Sequence, residues 1–206
     1  MNSFSKINSK FANQHNLSSE QVFNFDKYIE YLILWNSKMN LVGKSTLVNP
    51  LRSHILDCLQ ISNNLNNKKL SIVDLGTGAG LPGLVLSIIG FKNVTLVDSN
   101  LKKISFLKFV QKELKLPFVI INDRIEKIKK FKFDIIVSRA LAKLNILFFY
   151  SLPLSHKKTK LIFLKGKNID QEITYAKKNW FFDYELKKSQ SDHRGSIIII
   201  NNFKKK

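Results

Sequence analysis

Apolar residues in the first third of the chain recur at helical spacing. Over residues 21–34, Val22, Phe25, Ile29, Leu32 and Ile33 share one helix face, after Ser18 or Ser19 as a candidate N-cap. Trp35, Met39 and Leu41 continue onto the same core. Residues 1–66 carry no strand pattern, and the Asn/Lys-rich stretch 63–69 reads as a connection. From Leu70 onward, short apolar runs alternate with helical stretches. The runs at 70–74, 93–98, 117–122, 133–137, 159–164, 180–188 and 196–203 predict seven strands. Helices are predicted at about 82–90, 100–115, 124–129, 141–151 and 168–178. Only residues 189–195 separate the last two strands, so those two pair antiparallel as a hairpin. The pattern therefore predicts an α/β fold of the Rossmann-like, doubly wound class. Its seven-stranded, mostly parallel sheet ends in an antiparallel hairpin. Residues 1–66 form an N-terminal helical extension and residues 67–206 the main domain. There are no internal repeats.

The densest signal is S-I-V-D-L-G-T-G-A-G-L-P-G at 71–83. An apolar run stops at Asp74, glycines follow at 76, 78 and 80, and the chain re-enters a helical pattern through Leu81, Pro82 and Gly83. That is a buried strand, a turn too tight for side chains, and a helix start whose N–H groups are expected to face a ligand. Fifteen residues beyond Gly83, the next apolar run ends in Asp98, a carboxylate suited to two ribose hydroxyls. Together they indicate a nucleoside cofactor. Gly78, Gly80 and Gly83 also fit G-x-G-x-x-G, the dinucleotide spacing. A carboxylate at Asp74 would repel a pyrophosphate, whereas a cationic cofactor such as S-adenosylmethionine suits it. No Lys-Ser or Lys-Thr follows the glycines, which excludes a P-loop. A nicotinamide or flavin enzyme, or a turn with only a packing role, stays open at this point.

A chain of 206 residues holds one sizeable core. A lone cysteine, Cys58, excludes internal disulfides and cysteine-cluster metal sites and fits a reducing compartment. No apolar stretch approaches the roughly 18 residues needed to cross a bilayer. Residues 1–10 are polar and lack a signal-peptide apolar region. The expectation is a cytoplasmic monomer that does not engage membranes. Net charge is +19 with a pI near 10.0, which calls for an anionic partner, most simply nucleic acid. Richness in Lys, Asn and Ile together is also what AT-rich coding produces, so some lysines carry no message. Of the 34 basic residues only Arg52, Arg124, Arg139 and Arg194 are arginines. Where Lys is the default cation, an Arg marks a place that needs the planar, bidentate fork.

From Trp35 onward six motifs stand in order: W-N-x-x-M-N-L at 35–41, H-I-L-D at 54–57, D-L-G-T-G-A-G-L-P-G at 74–83, L-V-D-S at 96–99, S-R-A at 138–140 and L-K-G at 164–166. By this set the chain resembles the bacterial 16S ribosomal RNA guanine-N7 methyltransferase family, also called glucose-inhibited division protein B. The resemblance implies a Rossmann-like S-adenosylmethionine-dependent enzyme that methylates N7 of guanine 527, with 16S rRNA or the small ribosomal subunit as partner. It implies cofactor contacts at Asp74, Gly76, Gly78, Leu81 and Asp98, with Ile125 and Glu126 flanking the adenine. Arg139 matches an arginine at the cofactor and substrate face, and Lys165 and Arg194 match basic residues at the mouth. The family carries Arg directly before the His of H-x-x-D. Here Ser53 stands there and Arg52 one residue earlier, a shift of about 100° on a helix, so no role passes to Arg52.

Plainer readings stand beside these roles. His54 and Asp57, at i,i+3, read first as a local hydrogen-bonded pair, since no third group completes a triad. His15, His156 and His193 show no ligand spacing with them, so no metal is expected. Glu126 reads equally as a partner of Lys129 or Lys130, and Lys165 as an exposed strand end. Phe131, Phe133, Phe148 and Phe149 read as core. Guanine N7 carries a lone pair and no proton at neutral pH, so methylation there needs orientation and dryness rather than a general base.

Overall fold

Ser18 starts the first long helix. Its Oγ accepts the Gln21 N–H at 3.2 Å, and Gln21 Oε1 accepts the Ser18 N–H at 3.0 Å, a reciprocal cap that settles the choice between Ser18 and Ser19. The structure is a computed structural model that describes residues 7–206; residues 1–6 of the polar N-terminal stretch lie outside the described residues. A short helix α1 (Ser9–Gln14) precedes α2 (Ser19–Asn36). After a 3₁₀ turn at Lys44–Leu47 comes an irregular helical stretch. It runs through a π-helical turn (Leu51–Leu56), α3 (Asp57–Leu59) and a second 3₁₀ segment (Gln60–Asn64).

Seven strands follow: β1 (Ile72–Leu75), β2 (Val94–Val97), β3 (Val119–Ile121), β4 (Phe133–Arg139), β5 (Ser155–Lys165), β6 (Trp180–Lys188) and β7 (Ser196–Lys205). They form one sheet in the order β3-β2-β1-β4-β5-β7-β6, in which β7 alone runs against its neighbours. β1 is apolar but for Asp74 and buried throughout, as a strand covered on both faces must be. Helices α4 (Gly83–Ile88) and α5 (Leu101–Leu114) cover one face, and α6 (Leu144–Ser151) and α7 (Ile169–Ala176) the other.

The helical extension belongs to the core of the first face. Phe25, Tyr28, Ile29 and Leu32 of α2 are buried in the same cluster as Leu84, Phe106 and Leu107. Burying each of these side chains is worth about 1.5–3 kcal/mol. All six residues of α4 are buried, because α2 and α3 roof it. Two expectations need correction. The helix predicted over 124–129 is a single 3₁₀ turn, Ile125–Lys127: only Ile125 and Ile128 bury there, and no side chain caps it. Of the four phenylalanines read as core, Phe133 and Phe148 are buried, whereas Phe131 and Phe149 are 54% and 42% exposed.

Candidate active site

The strand order reverses between β1 and β4, and at the carboxyl ends of these strands opens a cleft of about 510 Å³. Its floor is the turn that leaves β1. Gly76 has φ +63°, and a Cβ there would stand 2.5 Å from Leu141 Cδ1, so any side chain would strain the backbone and push Leu141 aside. A Cβ on Gly78 would meet nothing nearer than Lys103 Nζ at 3.9 Å, which leaves bare backbone facing the cleft. Gly83 is required for a different reason, since its Cα lies against Asp74 and Leu96.

Asp74 lies beneath this turn, fully buried, and does not line the cleft. Its Oδ2 accepts the Thr77 hydroxyl at 2.5 Å and the Gly83 N–H at 2.8 Å, while Oδ1 has no hydrogen-bond partner among the described residues. Burial pushes its carboxyl up to about 7 against those two hydrogen bonds. The leading N–H groups of the following helix, expected to face a ligand, are already satisfied. Gly83 N–H goes to Asp74, and Gly80 and Leu81 N–H go to the Thr77 carbonyl. The helix is short and closes on its own turn, so the loop rather than a helix terminus faces the cleft. Asp98, at the end of β2, accepts Gly78 N–H on Oδ2 and Asn100 N–H on Oδ1, each at 2.9 Å. Lys103 Nζ stands 3.9 Å from the same Oδ2.

Arg139, at the end of β4, spreads its fork over the π-helical turn. Nη1 donates to the Ser53 carbonyl at 2.9 Å and to Asp57 Oδ2 at 3.1 Å; Nη2 meets His54 Nδ1 at 2.9 Å. A guanidinium can only donate, so His54 Nδ1 accepts and the proton sits on Nε2, which donates to Thr46 Oγ1 at 2.9 Å. Burial first, then the Arg139 charge, hold the His54 imidazole down to about 4. His54 and Asp57 are therefore bridged by Arg139, not bonded to each other as their spacing suggests. Asp57 is the hub: its Oδ1 takes the Ser191 hydroxyl at 2.6 Å and the Gln60 amide at 3.2 Å. Arg52 Nε reaches the Ser191 carbonyl at 2.8 Å, so both arginines tie the extension to the sheet.

Gly76, Gly78, Leu81, Arg139 and Lys165 line the cleft. Lys165 is no exposed strand end: Nζ is 2.6 Å from Glu172 Oε2, donates to the Ala142 carbonyl at 2.8 Å, and the side chain is 8% exposed. Arg194 stands on the hairpin loop, 66% exposed, held by Asp192 at 3.0 Å; that contact pulls the Asp192 carboxyl down to about 2. Ile125 sits in the second core and Glu126 at the surface, in the turn after β3, one strand beyond Asp98. Arg124 is exposed. No cluster of three metal-ligating residues occurs among the described residues.

Two supporting side chains escaped the sequence reading. Tyr28 Oη donates to the Ala79 carbonyl at 2.9 Å and pins the glycine turn from α2. Asn36 Oδ1 accepts Leu41 and Val42 N–H at 2.8 and 2.9 Å and shapes the cleft wall. Tyr28 lies on the periodic apolar face of α2, and Asn36 is the Asn of W-N-x-x-M-N-L, so both signals were present.

A family model described as rRNA small subunit methyltransferase G matches residues 21–196. The ribosomal RNA small subunit methyltransferase G of Orientia tsutsugamushi (strain Ikeda) is 42% identical over 186 residues, covering 90% of this chain and 93% of that protein. The protein of the same name from Rickettsia prowazekii (strain Madrid E) is 38% identical over 189 residues, 92% and 98% of the two chains. Among solved structures, a ribosomal protein L11 methylase from Lactobacillus delbrueckii subsp. bulgaricus superposes with TM-score 0.60 at 19% identity, covering 75% and 79%. M. jannaschii TYW2 in complex with AdoMet gives TM-score 0.57 at 13% identity, covering 82% and 80%. These two likenesses establish the fold.

Proposed function

The chain belongs to the rRNA small subunit methyltransferase G family, and on that premise we propose that it transfers a methyl group from S-adenosylmethionine to N7 of guanine 527 in 16S rRNA. The observation that carries the cofactor half is the bare Gly78 backbone, which lines a cleft of small-molecule size and is hydrogen-bonded from behind by the buried Asp98. Each Asp98 oxygen has accepted one N–H and keeps a lone pair for a ribose hydroxyl. Gly76, Gly78 and Leu81 form the wall along the cofactor, and Ile125 and Glu126 flank its adenine side. Asp74 shapes the turn from below, a supporting part in place of direct contact with a cation. When bound, S-adenosylmethionine supplies an electrophilic methyl group.

The remaining work falls to this chain's own residues. His54 is neutral throughout the working range, and its Nδ1 lone pair is committed to Arg139. That fits a reaction in which the attacking nitrogen has no proton to lose. Arg139, Lys165 and Arg194 position the RNA. Arg139 acts from a rigid frame, Lys165 through its remaining N–H and the loop it holds, and Arg194 from the hairpin rim. Orientation of this kind supplies up to about 7–11 kcal/mol of a displacement barrier. The partner is 16S rRNA, free or within the small subunit, and the enzyme works as a cytoplasmic monomer. No helix among the described residues is long and apolar enough to cross a membrane. Residues 1–66 serve as the helical extension of a methyltransferase domain at 67–206. Calorimetry with S-adenosylmethionine, followed by transfer of its labelled methyl group into small-subunit RNA, tests both halves. Absence of binding would overturn the whole reading, and binding without RNA labelling would overturn the substrate.

A further inference from the structure

We propose that the cleft between α6 and α7 is a second base-binding subsite, which takes an unpaired nucleobase of the RNA adjoining the target guanine; this rests on the rRNA methyltransferase reading above. The cleft measures about 500 Å³ and opens beside the loops that leave β4 and β5, the same sheet end as the active site. The two clefts share a wall one ion pair thick. Lys165 lines the first and Glu172 the second, and their charged ends are 2.6 Å apart. Glu172 Oε2 also accepts the Leu144 N–H at 2.7 Å, so the wall is fixed to the start of α6. The carboxylate that would repel a phosphodiester is thereby neutralised.

The lining chemistry suits a base. Asn145 Oδ1 accepts the Trp180 indole N–H at 2.9 Å. An indole nitrogen can only donate, which fixes the amide orientation and leaves Asn145 Nδ2 to donate to an acceptor edge. Asn168 and Gln171, both exposed, add amide donors and acceptors. Tyr175 is 54% exposed, with Lys178 Nζ 5.8 Å from its ring centroid, so it offers an aromatic surface beside a cation. Lys143 completes the lining within reach of a phosphate. Amides, an exposed aromatic ring and lysines are the means by which single-stranded RNA is held, since its bases are free to leave the stack.

The test uses full-length enzyme with two readouts. In methylation of small-subunit RNA, Tyr175→Ala should raise the RNA KM by about fivefold or more, the range expected for one lost stacking contact. Turnover at saturating RNA and affinity for S-adenosylmethionine should stay at wild-type values, and Tyr175→Phe should restore the KM. Independently of activity, a single-stranded oligoribonucleotide carrying 2-aminopurine should lose fluorescence on binding wild type or Tyr175→Phe, and keep it with Tyr175→Ala. An unchanged KM together with unchanged quenching in Tyr175→Ala would overturn the subsite while leaving the methyltransferase reading intact. Quenching without any methyl transfer by wild type would overturn the methyltransferase reading, and with it the placement of this base beside a target guanine. A Tyr175→Phe enzyme as impaired as Tyr175→Ala would show that the hydroxyl, not the stacking face, matters, and would also overturn it.

Discussion

Replacing Arg139 by Lys keeps the charge and removes the fork. The native side chain serves three acceptors from two nitrogens, at 2.9 Å to Ser53 O, 3.1 Å to Asp57 Oδ2 and 2.9 Å to His54 Nδ1. One ammonium cannot span the separation between Nη1 and Nη2, so it serves the Ser53 and Asp57 pair or the imidazole, not both. His54 is 2% exposed, and water has little access to an orphaned Nδ1. A buried unsatisfied acceptor costs about 1–3 kcal/mol, and a lost hydrogen bond from a charged donor about 1.5–3. The expected loss is about 2–4 kcal/mol. At roughly 2–4 °C per kcal/mol for a chain of this length, the melting temperature falls by about 5–15 °C. Methylation of rRNA, measured where the variant is still folded, should fall at least about tenfold, because Ala140 and the cleft wall follow Arg139. Arg194→Lys is the control: on an exposed loop, its melting temperature should not move. An Arg139→Lys enzyme that melts and turns over like wild type would mean that the fork is dispensable, and that scarce arginines do not mark sites needing one.

Asp98→Ala should weaken S-adenosylmethionine binding by about 1–3 kcal/mol in calorimetry, by losing the ribose acceptor and releasing the Gly78 N–H it holds; unchanged affinity would remove Asp98 from the ribose site. Single-turnover methylation should be nearly flat between about pH 6.5 and 8.5, and a tenfold rise per pH unit would mean that a general base operates. Stability against pH should reveal two opposed groups. Asp74, raised from 3.8 to about 7 in the fold, favours the native state at low pH and loses that contribution as pH rises to about 7. His54, lowered from 6.5 to about 4, stabilises above 6.5 and loses that contribution as pH falls to about 4. The two slopes oppose across about pH 4–6.5, so Asp74→Asn should leave stability rising with pH there and His54→Gln should leave it falling. Parallel curves for both variants, by denaturant melts across that range, would contradict the assignment.

The repeating pattern of the chain carried the fold well, because a buried parallel sheet writes each strand as a short apolar run closed by a polar residue. Asp98 marks one such end, directly after β2, and Asp74 falls one residue short of the end of β1. Ser18 and Gln21 wrote the start of α2, and the short 189–195 segment wrote the hairpin. What stayed hidden depends on distance along the chain. Asp57 and Ser191 are 134 residues apart yet 2.6 Å in contact, and nothing local to either announces the other. His54 and Asp57 suggested a pair by spacing, but a third residue from β4 claims both. Lys165 read as a basic residue at the mouth or as an exposed strand end, and nothing local announced its partner Glu172 on the next helix. Residues 124–129 stand where a helix is expected between two strands, but Ile125 and Ile128 are their only buried residues, enough for one turn.

The proposed reaction places a methyl group on one atom of one nucleotide. Small-subunit RNA isolated from cells lacking this protein, treated with the purified enzyme and S-adenosylmethionine, can be cut at specific sites and its fragments weighed and sequenced by mass spectrometry. One added methyl per RNA is expected, as 7-methylguanosine, in the fragment that contains guanine 527, with a smaller yield in the same time from Asp98→Ala enzyme at limiting cofactor. Methylation at another ring position, in another fragment, or of no RNA at all would contradict it.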